Sequence, residues 1–338
     1  MSRPLPTFKQ HALRPSAFKE GHTLCPGCGE AVTFHALGRA TGNGRKTVLC
    51  LGTCCGEVST LMFPDVVAWG RGDISPHSVG DSLGVVHNVF ESAPTVAEGV
   101  RDTATALEEL GAWKSEAPNV MSISGDGGAM AIGLRSVLHT IHRRAPITLV
   151  ININEVFANT GFQYSPTSLP FADASTLPGG GPAEPIDHIG LVIAAGAVFV
   201  AQVSPGFPPL MAEVMEEALN TRSGTSVVFV VSPCIAGWKF EEGLTAELGK
   251  LASQTGLFPC FRYRAATGGE LKHVSADKEK RPKVEAYFAY QRRFDHLVTR
   301  VDGKAQVRPG READVAVAQA YADRNVERLM RFTQRVGP

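Results

Sequence analysis

Val120-Met-Ser-Ile-Ser-Gly-Asp-Gly-Gly128, a helix-length run from Ala129 to Arg143, and Pro146-Ile-Thr-Leu-Val-Ile-Asn-Ile-Asn154 together decide the fold. The flanking runs are continuously apolar rather than alternating, as in parallel strands covered on both faces. Between them lies a glycine turn and then an amphipathic stretch, so the unit reads strand, turn, helix, strand. Working outward, Ile186 to Ala195 reads as helix, Ala197 to Val203 as strand, Pro208 to Asn220 as helix, and Thr225 to Val231 as a strand ending at Ser232-Pro233-Cys234. The expected fold is therefore α/β, a doubly wound, mostly parallel sheet with helices on both faces. Residues 157–184, rich in Gly, Pro, Ser and Thr, read as one long loop, and loops of that length are usually functional. From Phe240 onward charges dominate, as in Lys278-Glu-Lys-Arg281 and Arg292-Arg293. No further strong strand is expected there, and residues 241–338 read as a mainly helical or irregular extension after a domain of residues 1–240, on the surface or against a partner subunit.

The 338 residues hold 33 Lys+Arg against 33 Asp+Glu, with a pI near 7.1, so the basic field that drives nucleic-acid binding is missing. Small molecules and other proteins are the expected partners. Met1 to Glu20 contains no apolar signal core, and Ile186 to Val203 is broken by Asp187, His188 and Gly196. A cytoplasmic protein that spans no membrane is expected. Its seven cysteines should then be reduced, which favours ligation over disulfides.

Cys25-Pro-Gly-Cys28-Gly-Glu30 is a C-x-x-C whose thiolates can hold one centre. A redox pair, a zinc site, an iron-sulfur cluster and buried inert thiols all remain open, because the remaining cysteines are scattered: Cys50, Cys54, Cys55, Cys234 and Cys260. Of Cys54 and Cys55 only one is expected to ligate, since neighbours on an extended chain point oppositely. Asp126 and Asn154 lie at consecutive strand ends, where ligands of open α/β sheets bind. A carboxylate and a side-chain carbonyl suit Mg²⁺, and Gly127 and Gly128 free helix-start amides for a diphosphate. The polar run Asn154 to Thr167 is placed to line the reaction centre. His139 and His142 receive no role, and Trp69, Trp113 and Trp238 are expected in core or interface. There is no G-x-S-x-G or P-loop to suggest a hydrolase or NTPase.

In this order the motifs resemble the thiamine-diphosphate-binding beta subunit of 2-oxoacid:ferredoxin (acceptor) oxidoreductases, most nearly the pyruvate type, over about residues 18–240. The resemblance implies a 4Fe-4S cluster on Cys25, Cys28, Cys55 and Cys234, with Cys54 where the family usually has glycine. It implies Mg²⁺ on Asp126, Asn154 and the Val156 carbonyl. Gly125, Asp126, Gly127, Gly128, Asn154, Val156, Thr160 and Gly161 would bind thiamine diphosphate, and Asn159 would stand beside the thiazolium and substrate. Ile153 and Phe157 depart from the usual pattern without touching the coordinating atoms. Tyr164 stands where pyruvate-type subunits often carry arginine, which points toward an aryl 2-oxoacid such as phenylglyoxylate or indolepyruvate. The implied reaction is oxidative decarboxylation with coenzyme A as co-substrate. The implied partners are an alpha subunit supplying the thiamine-activating glutamate, a gamma subunit, a ferredoxin-like delta subunit, and external ferredoxin or NAD through a flavin subunit. A non-redox thiamine decarboxylase or carboligase, which has no use for four cysteines, and a structural metal or electron-transfer module are the rival readings.

Overall fold

The computed structural model describes residues 5–18, 22–41, 46–61, 83–112 and 117–333. The strands are β1 (Thr47–Gly52), β2 (Leu83–Asn88), β3 (Asn119–Gly125), β4 (Thr148–Ile153), the two-residue β5 (Val156–Phe157) and β6 (Gln163–Tyr164), β7 (Phe199–Val203), β8 (Ser226–Val231), β9 (Cys260–Arg264), β10 (Gly268–Lys272), β11 (Val298–Val301) and β12 (Lys304–Val307). The α-helices are α1 (Phe8–Ala12), α2 (Gly29–Thr41), α3 (Cys55–Leu61), α4 (Ala93–Glu109), α5 (Leu134–His142), α6 (His188–Ala194), α7 (Pro208–Asn220), α8 (Thr245–Gln254), α9 (Val284–Phe288) and α10 (Glu312–Arg331). Eight strands form one sheet in the order β10-β9-β7-β8-β4-β3-β1-β2. From β7 to β2 all neighbours are parallel, while β9 pairs antiparallel with β7 and with β10.

The continuous apolar runs feed two cores. Leu149, Ile151 and Ile153 of β4, with Val227, Phe229 and Val231 of β8, face one layer containing α5, α6, α8 and α10. The intervening Val150, Val228 and Val230 face the other, against α2 and α7. Side chains alternate across a strand, so a run apolar on both phases is buried on both sides; each buried aliphatic contributes about 1.5–3 kcal/mol. Among the described residues no helix is long and apolar enough to cross a membrane.

Two expectations need correction. The run after Gly127 is not one helix: a π turn over Gly128–Ile132 closes with the Gly133 N–H on the Gly128 carbonyl (2.7 Å) before α5 begins. A Cβ on Gly133 would sit 2.6 Å from that carbonyl, so the wide turn requires glycine. The second concerns strands beyond Phe240, where β9 and β10 join the main sheet and β11 pairs with β12. The β9 sequence Cys-Phe-Arg-Tyr-Arg reads as charged because Arg262 and Arg264 interrupt it. Glu213 and Glu217 of α7 and Glu270 of β10 neutralise both guanidinium groups and allow the strand to form. Trp69 and Trp113 lie outside the described residues; Trp238 is buried.

Candidate active site

The carboxyl ends of β1, β3 and β4 meet at a cleft. The chain leaves β1 toward β2 on one side and β3 on the other, and such a reversal of strand order opens a crevice at the strand ends. The cleft is lined by the β1 end (Thr53, Cys54, Cys55), the β3 turn (Gly125 to Gly128), the segment after β4 (Asn154, Val156 to Thr160) and Phe90. Asp126 is 0% exposed. Its Oδ2 accepts from the Glu155 N–H (2.9 Å), Ser165 Oγ (2.8 Å) and Thr167 Oγ1. Its Oδ1 is buried without any hydrogen-bond partner. Burial pushes this carboxyl up to about 6 against the hydrogen bonds that favour its charged form. A buried carboxylate with one oxygen served three times and the other without a hydrogen bond could take a cation, and such hard oxygen donors fit Mg²⁺.

Asn154 Oδ1 accepts from the Val156 N–H (3.2 Å), and the Asn154 carbonyl accepts from Trp238 Nε1 (2.7 Å). Glu155 between them holds a left-handed backbone, φ 64°. Gly127 is required by packing: a Cβ there would meet the Phe157 ring at 2.5–2.8 Å. Phe157 and Phe90, both lining the cleft, stand edge to face with ring centroids 6.5 Å apart.

A second cavity, about 160 Å³, adjoins the first and is lined by Cys25, Cys28, Cys55, Cys234, Glu30, Asn154 and Asn159, among others. Gly29 brings two of the thiol segments together. It opens α2, donates its N–H to the Pro233 carbonyl (3.1 Å), and lies so close that a Cβ would be 2.6 Å from the Pro233 nitrogen. Gly56, next to Cys55, packs on the buried Phe34 ring, where a Cβ would come within 1.9 Å. Burial pushes Cys28 up to about 12, with Glu30 adding, and pushes Cys234 up to about 11. Cys55 is raised by burial, then by Glu30 and by the Cys234, Cys28 and Cys25 sulfurs. These thiols repel one another as thiolates, so a positively charged centre is what would draw them into that form. Among the described residues no three His, Cys, Asp or Glu side chains converge on one ion-sized point; the four thiols stand around the cavity instead.

Cys54 takes a different direction. It precedes α3, is buried, lines the Asp126 cleft only, and hydrogen-bonds to Glu30. The two cysteines diverge because a helix begins between them, not because they lie on an extended chain. The two cavities share Cys55, Asn154 and Asn159, and Cys55 Sγ donates to Asn159 Oδ1 at 3.1 Å.

Of the residues singled out in the sequence, Gly125 to Gly128, Asn154, Val156, Asn159 and Thr160 border the cleft, and Cys25, Cys28, Cys55 and Cys234 border the second cavity. Gly161 sits in the β5–β6 turn at φ 111°, and Tyr164 on β6; neither lines either cavity. The sequence reading gave no role to Glu30, which burial pushes up to about 7 and which accepts from the Gly56 N–H (3.1 Å) and Asn152 Nδ2 (3.2 Å). Arg293 belongs to the charged stretch expected on the surface or against a partner, whereas it is 1% exposed and pairs with the fully buried Glu155. No local pattern announces that pair, since its partners are 138 residues apart.

The family model for the thiamine pyrophosphate enzyme C-terminal TPP binding domain matches residues 87–230. Pyruvate synthase subunit PorB of Methanosarcina barkeri is 34% identical over 313 residues, 91% of this chain and 94% of its own length. The PorB of Thermotoga maritima is 31% identical over 318 residues, 92% and 90%. Ketoisovalerate oxidoreductase subunit VorB of Pyrococcus abyssi is 28% identical over 329 residues, 95% and 94%. A solved 2-oxoglutarate:ferredoxin oxidoreductase from Magnetococcus marinus, with 2-oxoglutarate, coenzyme A and succinyl-CoA bound, shares the fold at a TM-score of 0.52 and 23% identity, over 73% of this chain and 84% of that one. With thiamine-type strand-end geometry and a four-thiol cavity on its wall, and with relatives aligned over nearly its whole length, the chain belongs to the family of PorB-type beta subunits of the 2-oxoacid:ferredoxin oxidoreductases.

Proposed function

We propose that this chain is the thiamine-diphosphate-binding subunit of an oxidoreductase that converts a 2-oxoacid and coenzyme A to acyl-CoA and CO₂, with the two electrons leaving through one 4Fe-4S cluster. The observation that carries the reading is the shared wall: the cleft of Asp126 and the four-thiol cavity have Cys55, Asn154 and Asn159 in common. An oxidation that passes electrons to a cluster is served by two sites held close together.

Asp126 Oδ1, the Asn154 side chain and the Val156 carbonyl would hold Mg²⁺, and the amides of Gly127 and Gly128 would meet the diphosphate with Gly125 and Thr160 beside it, while Gly161 lies off the cleft. Asn159, on the wall the two cavities share, would stand beside the thiazolium and the substrate. When bound, thiamine diphosphate supplies a nucleophilic carbon and an electron sink for the carbonyl it attacks. The chain's own work is to bind, orient and keep water out, and the apolar lining of Phe90, Phe157 and Cys54 would serve the last of these. Cys25, Cys28, Cys55 and Cys234 would ligate the cluster.

The PorB and VorB relatives are named for pyruvate and ketoisovalerate, so a small aliphatic 2-oxoacid is the first substrate to test. An aryl 2-oxoacid belongs in the same panel, although Tyr164, which suggested it, faces neither cavity. An alpha subunit would supply the thiamine-activating glutamate, and gamma and ferredoxin-like delta subunits would carry electrons on to ferredoxin, or to NAD through a flavin subunit. The segment after residue 240 is proposed to meet one of these partners.

The test is iron and acid-labile sulfide per chain on anaerobically purified protein, with an EPR spectrum after dithionite and thiamine diphosphate binding with Mg²⁺. About four irons and a reduced-cluster signal are expected. Thiamine diphosphate without iron would favour a non-redox decarboxylase, and metal without thiamine diphosphate a structural module. Oxidative decarboxylation by the chain alone would contradict the need for partner subunits.

A further inference from the structure

The loop Asn154–Val156 is fixed from one side by Asp126, and from the other by a residue of the C-terminal segment. Arg293 Nη2 donates to Glu155 Oε1 at 2.8 Å, with the two side chains 1% and 0% exposed. Its guanidinium carbon lies 4.1 Å from the centre of the Trp238 ring and its Nε donates to Gln291 Oε1 at 2.8 Å. Trp238 in turn donates from Nε1 to the Asn154 carbonyl, and Cys234 stands four residues before it in the same turn. The second carboxylate oxygen of Glu155 takes the Leu169 N–H (2.9 Å), and its carbonyl takes Ser168 Oγ (2.5 Å). The peptide N–H of Glu155 serves Asp126 Oδ2, so Glu155 reaches the metal carboxylate from its backbone and Arg293 from its side chain.

We propose that Arg293 is a positioning residue that joins the metal-diphosphate loop to the Cys234 segment, holding Glu155 by its edge and Trp238 by its face. The inference rests on the functional reading of Asp126 and Asn154. The edge-and-face use of one planar cation is what distinguishes Arg293 from a pure counter-charge, because lysine supplies the charge without the plane. The left-handed backbone at Glu155 is strained and persists only where its surroundings over-determine it. Arg293 is the part of those surroundings that also touches the thiol segment.

The complex with its partner subunits is compared as wild type, Arg293→Met, Arg293→Lys and the double variant Glu155→Gln/Arg293→Met. The readouts are thiamine diphosphate affinity with Mg²⁺ by equilibrium dialysis, the unfolding midpoint without cofactor, and the reduction potential of the cluster. Residues supporting metal ligands typically change affinity by about 10–100-fold, and that loss is expected for Arg293→Met, together with a shifted potential. The double variant leaves no lone buried charge and should recover the unfolding midpoint but not the affinity. Arg293→Lys should fall between wild type and Arg293→Met in affinity. Affinity that follows the midpoint across all variants, or Arg293→Met binding within twofold of wild type at unchanged potential, overturns the proposal. If Arg293→Met does not fold, the double variant and Arg293→Lys make the same comparison. A wild-type complex that binds no thiamine diphosphate sinks the functional reading instead.

Discussion

Gly29→Ala isolates the contact that ties the C-x-x-C segment to the Cys234 segment. The new Cβ would lie 2.6 Å from both Cδ and the nitrogen of Pro233 and 2.7 Å from the Ser232 carbonyl carbon. Two of those atoms are backbone and the third is in a proline ring, so none can rotate away. Ordinary contact starts at 3.4 Å, so the segments must part by about 0.8 Å. Overpacking of this kind costs about 1–3 kcal/mol. The Gly29 N–H to Pro233 bond at 3.1 Å is stretched as well, worth about 0.5–1.5 kcal/mol. Replacing glycine in a helix returns up to about 1 kcal/mol, so the net loss stays near 1–3 kcal/mol and lowers the unfolding midpoint by a few degrees. The larger effect falls on the thiols, because a ligand set tolerates errors of only about 0.2–0.5 Å and Cys28 adjoins Gly29. Iron and sulfide per chain should therefore drop well below wild type while the protein still folds. Gly243, with nothing within 4 Å of a built Cβ, is the matched control, and Gly243→Ala should keep its iron. A full iron complement in Gly29→Ala, with an unchanged midpoint, would refute this account of how the two segments are held.

Cys55→Ser should lose the cluster while Cys54→Ser keeps about four irons, because only Cys55 borders the four-thiol cavity; iron analysis of the pair decides it. Asp126→Asn should fold and lose thiamine diphosphate binding with Mg²⁺, read by dialysis. In metal-free protein the Asp126 carboxyl binds its proton more tightly folded than unfolded, so its contribution is present at low pH and is lost as pH rises through about 6. Wild type should thus lose up to roughly 3 kcal/mol relative to Asp126→Asn between about pH 4 and 7, and parallel unfolding profiles for the two would contradict the buried open oxygen. Gly127→Ala forces the Phe157 ring to move, and calorimetric titration should show thiamine diphosphate binding weakened about tenfold or more, with iron unaffected.

Much of the central sheet is legible in the sequence because parallel strands covered on both faces write themselves as unbroken apolar runs; the expected helix Pro208–Asn220 is found with the same ends. Strand ends are legible too, since glycine and polar residues cluster where β3 and β4 finish, and that places Asp126 and Asn154 together. What escapes is whatever depends on distant partners. Strand β9 looks like a charged segment until Glu213, Glu217 and Glu270 arrive from α7 and β10. Arg293 looks like half of an Arg-Arg pair on the surface or against a partner, although only its neighbour Arg292 faces solvent. Glu30 is visible in the sequence, but that it accepts from both Gly56 and Asn152 is a property of three elements packed together.

The spread of the four thiols along the chain also sets a clock. Cys25 and Cys234 line one cavity, yet 209 residues of synthesis separate them. At about 5–20 residues per second the ribosome needs roughly 10–40 s to cover that distance. Through that interval the nascent Cys25 and Cys28 wait without Cys234. A centre held by all four can be installed only after β8 has been made, and oxidants met earlier find an incomplete and reactive site.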